Sequence, residues 1–172
     1  MVRTLIIAPY IELWTNILGR IGACLAPPLV VAMVYEIISR QFFNSPTFWA
    51  FELAYMMMGS IFLFGIAYAL KKQAHVSVDL IYKDLGIRAQ GMVMLIGYFL
   101  LVPCVAWMTH ELFWYMIQAY MSEEKTGRSA WNPVVWPIRL VYFIGFLTFF
   151  LQLIAECEKA IYAIVTKVEA ER

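Results

Sequence analysis

Residues 48–72 read FWAFELAYMMMGSIFLFGIAYALKK. Between Phe48 and Leu70 the single charged residue is Glu52, one turn inside the start, and the run stops on Lys71 and Lys72. A helix rising 1.5 Å per residue needs about 20 apolar residues to cross about 30 Å of hydrocarbon. This stretch meets that length with a carboxylate at one edge and a lysine pair at the other, so it predicts a transmembrane helix.

Three further runs have the same character on either side of it, giving expected spans at 17–38, 48–70, 92–118 and 134–155. The whole chain agrees: of 172 residues 63% are hydrophobic and 15% charged, whereas soluble domains carry about 25% charged residues. The fold class expected is an all-α integral membrane protein. It comprises one four-helix membrane domain over 1–172, with short interfacial amphipathic helices. Pro27 and Pro28 predict a kink in the first span, and Pro103 sits at mid-depth in the third. Arg3 ahead of an apolar patch has the look of a signal peptide, but Pro9 and Glu12 break the patch, so the segment is expected to be retained. Tyr10, Trp14, Ile17 and Ile21 fall on one helical face, as an interfacial helix or as an extension of the first span.

Basic residues set the expected orientation. Arg3, Arg20, Lys71, Lys72, Lys83, Arg88, Lys159, Lys167 and Arg172 fall on one side of the four spans, and Arg40, Lys125 and Arg128 on the other. Both termini are therefore expected inside. In the 71–91 loop, Ser77 can cap a short helix with Val78, Ile81, Tyr82 and Leu85 on one face, lying flat on the inner surface. The polar 121–133 loop is expected to be a mobile, exposed connection.

Ionisable groups in a membrane are costly and mark function or structure. Glu36, Glu52, Glu111 and Arg139 lie toward the outer helix ends, where one cation can tie together one or two carboxylates. Glu36 and Arg40, spaced i, i+4, can pair along one helix. Glu52 is expected to meet Arg139 or a group on a partner. His75 and His110 lie at different depths and do not make a haem pair, and neither a phosphate-binding loop nor a helical His-Glu-x-x-His occurs. Cys24, Cys104 and Cys157 are widely spaced in or beside apolar runs, as small buried hydrophobes are. No catalytic residue, cofactor or metal site is assigned. A net charge of +1 offers no field for nucleic acid. Small residues four apart, Gly19 with Ala23, Gly22 with Ala26 and Gly65 with Ala69, allow close helix packing.

The second span and its flanks carry a family pattern. Arg40, Phe43, Asn44, Ser45 and Pro46 lead to Trp49 and Glu52, then Gly59 and Gly65, and the exit reads Lys71, Lys72, His75, Val76, Ser77, Val78, Asp79, Leu80. Trp131, Pro133, Pro137, Gly145 and Gln152 mark the fourth span. Together these resemble the small membrane (Q) subunit of tripartite ATP-independent periplasmic (TRAP) transporters, apart from the double proline at 27 and 28.

The resemblance implies a multi-pass subunit in a bacterial or archaeal cell membrane. It would work beside a large M subunit holding the substrate and sodium sites, and a periplasmic substrate-binding protein delivering an organic acid. Arg40, Asn44, Pro46, Trp49, Glu52, His75, Asp79 and Arg139 are the structural or interface candidates. The alternatives are a self-contained small transporter and a membrane redox subunit.

Overall fold

A helix in hydrocarbon pairs its own backbone, and lipid is as apolar as leucine, so side-chain packing decides how such helices meet. The computed structural model describes residues 7–72 and 87–166. They form α1 (Ala8–Phe43), α2 (Ala50–Lys71), α3 (Ile87–Met121) and α4 (Trp136–Thr166). Each contains a stretch long and apolar enough to cross a membrane. The Tyr10–Ile21 face is part of α1, so it extends the first span and is no separate interfacial helix. The expected short helix at 78–85, with His75 and Asp79, lies outside the described residues.

Pro27 and Pro28 stand inside α1, which continues on both sides of them. Without their N–H groups the carbonyls of Ala23 and Cys24 lose helical donors, a loss membrane helices accommodate. Asn44 ends α1 in the left-handed region at φ 48°, and the Ser45 N–H donates to the Ser39 carbonyl at 3.1 Å. That cap turns the chain through Pro46 and Thr47 into α2. Trp49, at the α2 N-cap, stacks on Tyr35 with ring centroids 6.0 Å apart.

Contacts fix the register. Glu12 meets Lys71 and Gly22 meets Phe64, so α1 and α2 are antiparallel. Ala8 meets Glu158 and Thr15 meets Gln152, so α1 and α4 are antiparallel too. Phe113 on Phe143 and Tyr120 on Trp136 set α3 antiparallel to α4, and Gly59 beside Tyr142 with Leu70 beside Leu153 sets α2 parallel to it. The result is an up-down-up-down bundle. One end, here the terminal end, holds the starts of α1 and α3 and the ends of α2 and α4; the loop end holds the other four.

Helix α4 is the hub, packed against each of the other three. In its most apolar window 33% of residues are buried, against 11% in α3. Gly145 allows a close approach of α2 to α4: a Cβ there would stand 2.8 Å from Leu63 Cβ. Gly19 and Gly22 likewise receive Tyr68 and Phe64 of α2, as their small-residue spacing predicts, whereas Gly65 faces open space. Leu70, Val105 and Leu153 form the shared core of α2, α3 and α4.

Candidate functional site

Charged and polar side chains gather at the two ends of the bundle. At the terminal end, Lys159 of α4 lies 2.5 Å from Glu12 of α1 and 2.8 Å from Glu156 one turn back. Lys71 of α2 reaches the other Glu12 oxygen at 3.3 Å. Gln152 donates to Glu156 at 2.9 Å and accepts from the Thr15 hydroxyl at 2.8 Å. Two carboxylates and two ammonium groups thus form one neutral chain of contacts across α1, α2 and α4. Thr15 and Gln152 are fully buried and Glu156 and Lys159 nearly so, so each charge depends on its partners for solvation.

At the loop end the partners come from the connections. Glu36 accepts from Arg40, as the i, i+4 spacing predicts, and also from the Thr47 hydroxyl and backbone N–H, so it pins the turn into α2 to the end of α1. Arg139, 6% exposed, donates to Glu124 at 2.7 Å and to the Tyr115 carbonyl at 3.2 Å. Its guanidinium carbon lies 3.4 Å from the Tyr115 ring centroid.

The ion pair expected between Glu52 and Arg139 does not form, because Arg139 is engaged by Glu124. Glu52 instead accepts the Thr126 hydroxyl at 2.7 Å through Oε1. Its Oε2 is buried with no hydrogen-bond donor among the described residues.

The 121–133 connection meets its expectation in part. It is exposed, but it is folded back on itself and tied down. The Val135 N–H donates to the Glu124 carbonyl at 2.9 Å and the Thr126 N–H to the Pro133 carbonyl at 3.1 Å. Left-handed residues at Glu123, Gly127 and Asn132 supply the reversals, and the Gly127 N–H donates to the Asn132 side chain at 2.8 Å. Between this loop and α2, α3 and α4 lies a cavity of about 250 Å³, with Glu52, Tyr55, Tyr115, Arg128, Arg139 and Tyr142 on its walls.

The structure therefore brings Arg40, Asn44, Pro46, Trp49, Glu52 and Arg139 to one end of the bundle, in two groups. The first four build the α1–α2 turn; Glu52 and Arg139 line the cavity without touching. Sequence reasoning missed Glu124 and Thr126 as their partners, and missed the terminal network. A signal for the latter was present in Gln152, Glu156 and Lys159, which recur along one face of α4.

Between the two ends the buried hydroxyls bond back to their own helices; Thr148 also accepts the Trp14 indole N–H at 3.1 Å, and Arg20, eight residues after Glu12 on α1, is exposed at the bundle surface. Ser60 donates to the Met56 carbonyl, Thr109 to Val105 and Thr148 to Ile144. Arg139 and Lys159 are separated by about 30 Å at 1.5 Å per residue, and Glu52 and Lys71 by nearly as much. The charged belts thus stand a hydrocarbon thickness apart.

Comparison with known proteins gives this arrangement a family. Residues 29–161 match the family described as "Tripartite ATP-independent periplasmic transporters, DctQ component". A stretch of 59 residues is 36% identical to the sialic acid TRAP transporter permease protein SiaT of Haemophilus influenzae (strain 86-028NP), covering 34% of this chain and 10% of that much longer protein. No solved structure matches. The family match takes in the turn at Asn44, α2, α3, the folded connection and most of α4, so the chain belongs to the DctQ component family of tripartite ATP-independent periplasmic transporters.

Proposed function

We propose that this chain is a noncatalytic transmembrane subunit that fixes the membrane position of a larger partner, the M subunit. The complex imports an organic acid or related solute delivered by a periplasmic binding protein, driven by sodium. The observation that carries the scaffold reading is the separation of charge into two belts. Inside the bundle the described residues between the belts offer apolar and aromatic packing and self-bonded hydroxyls, and the charged Arg20 of α1 lies on the outer surface, so no enclosed polar path for an ion or an acidic solute is formed by these residues. Large apolar side chains of α1, α2 and α3 face outward, among them Val31, Phe62 and Phe99, which suits a protein that lies against lipid and a membrane partner. The acidic cargo is in keeping with the sialic acid named for the Haemophilus relative.

The basic-residue asymmetry supports a cytoplasmic terminal end and a loop end on the outer side. In a background lacking the three native cysteines, Asp84→Cys should label only in permeabilised cells and Lys125→Cys in intact ones.

Reconstitution tests the function. Purified chain alone in liposomes should give no substrate-dependent sodium flux, and flux should appear when the large subunit and binding protein are added. Flux from the chain alone would instead favour a self-contained transporter, and a haem absorption band in the purified protein would favour a redox subunit.

A further inference from the structure

The cavity at the loop end has a charge pattern that points to a ligand. Two of its wall charges neutralise each other, Arg139 and Glu124 at 2.7 Å. What remains is Glu52 at the inner wall, 3% exposed, with one carboxylate oxygen lacking a donor among the described residues. Lys125 and Arg128 remain at the exposed side. Arg128 rests over the Tyr55 ring, 5.0 Å from its centroid, with no carboxylate paired to it among the described residues. The cavity is thus negative inside and positive at its mouth.

A metal cation would answer Glu52 and leave two cations at the mouth uncompensated. A simple anion would answer the mouth and stand beside Glu52. A molecule with an N–H-bearing ammonium at one end and an anion at the other satisfies both. At about 30 Å³ per water in the liquid, 250 Å³ holds about eight waters, enough for a small headgroup.

From this pattern we propose that the cavity binds a primary-ammonium zwitterion, its ammonium on Glu52 and its anionic group on Arg128 and Lys125. Two sources present this chemistry: the headgroup of an aminophospholipid, and a free solute such as a phosphorylated amino alcohol. Tyr55, on the cavity wall, also belongs to an exposed stripe of α2 with Phe51, Met58 and Phe62, so a lipid seated there would lay its tails on apolar surface. The site stands on this chain's own residues, independently of which partner it assembles with.

Native mass spectrometry of the detergent-purified complex, offered phosphatidylethanolamine or phosphatidylcholine, tests the proposal. The two lipids differ in whether the ammonium has an N–H to give. A charge-assisted hydrogen bond predicts a preference of about tenfold for phosphatidylethanolamine. Glu52→Gln should abolish that preference, while Arg128→Gln at the exposed mouth, where folding is not at stake, should weaken both lipids.

O-phosphoethanolamine forms the second arm. If it displaces the lipid, the headgroup alone suffices and a free solute can occupy the site; if only the intact lipid binds, the source is the bilayer. Equal binding of the two lipids by the wild-type complex, or a preference that survives Glu52→Gln, would overturn the proposal.

Discussion

The terminal end and the loop end of the bundle both bury charge, but they do so with different partners. At the terminal end Glu12, Lys71, Glu156 and Lys159 come from three helices and answer one another in full. At the loop end Glu36, Glu52 and Arg139 are answered by Thr47, Thr126 and Glu124, all in connections. Helix-to-helix contacts fix the relative positions of rigid elements, whereas helix-to-loop contacts fix a strap across helices already placed. The first arrangement closes; the second leaves a cavity and an unanswered carboxylate oxygen.

If the terminal network holds the bundle, Lys159→Met should have the largest effect, because it leaves buried Glu156 without a cation and Glu12 with Lys71 alone. Removing one partner of a buried pair costs about 3–5 kcal/mol. We expect a marked fall in thermal stability of the detergent-purified protein, and partial recovery when Glu156→Gln is added. A single substitution as stable as wild type would erase the distinction between the ends.

Arg139→Gln should come next. It forfeits charge-assisted bonds worth about 1.5–3 kcal/mol, but Glu124 is exposed enough to turn to water. The loss should appear as faster proteolysis within 121–133 rather than as dissociation of helices. Equal protection of that loop in wild type and variant would show that Arg139 does not tie it.

The smallest effect is expected at Glu52. Glu52→Gln keeps an acceptor for Thr126, whereas Glu52→Leu leaves that hydroxyl unpaired, a difference of about 1 kcal/mol. Indistinguishable melting temperatures for the two variants would show that the Thr126 bond contributes nothing to stability.

The four spans were legible because hydrocarbon imposes a length and a composition on any helix that crosses it, and the stretch from Phe48 to Lys72 shows both. The Glu36–Arg40 pair was legible because i, i+4 neighbours touch whatever surrounds the helix. The partner of Glu52 was not, since Thr126 is 74 positions away and reaches it only through a loop whose reversals depend on left-handed Glu123 and Asn132. Neither residue type announces that conformation as strongly as glycine does. The terminal network was hidden for a related reason. Gln152, Glu156 and Lys159 share a face of α4, but only the helix order around the hub brings Glu12 and Thr15 against them.

That hub has a consequence for how the chain is made. Helix α4 emerges from the ribosome after α1, α2 and α3, although it is the one element packed against all of them. The α1–α2 hairpin can close early, through Gly22 on Phe64 and Glu12 on Lys71. Helix α3 has its principal contact surface on a helix not yet synthesised, and Glu12 holds only half of its final complement of cations. Translation order and packing order therefore diverge, and the bundle is complete only when Lys159, 147 positions after Glu12, has left the ribosome and reached the terminal end.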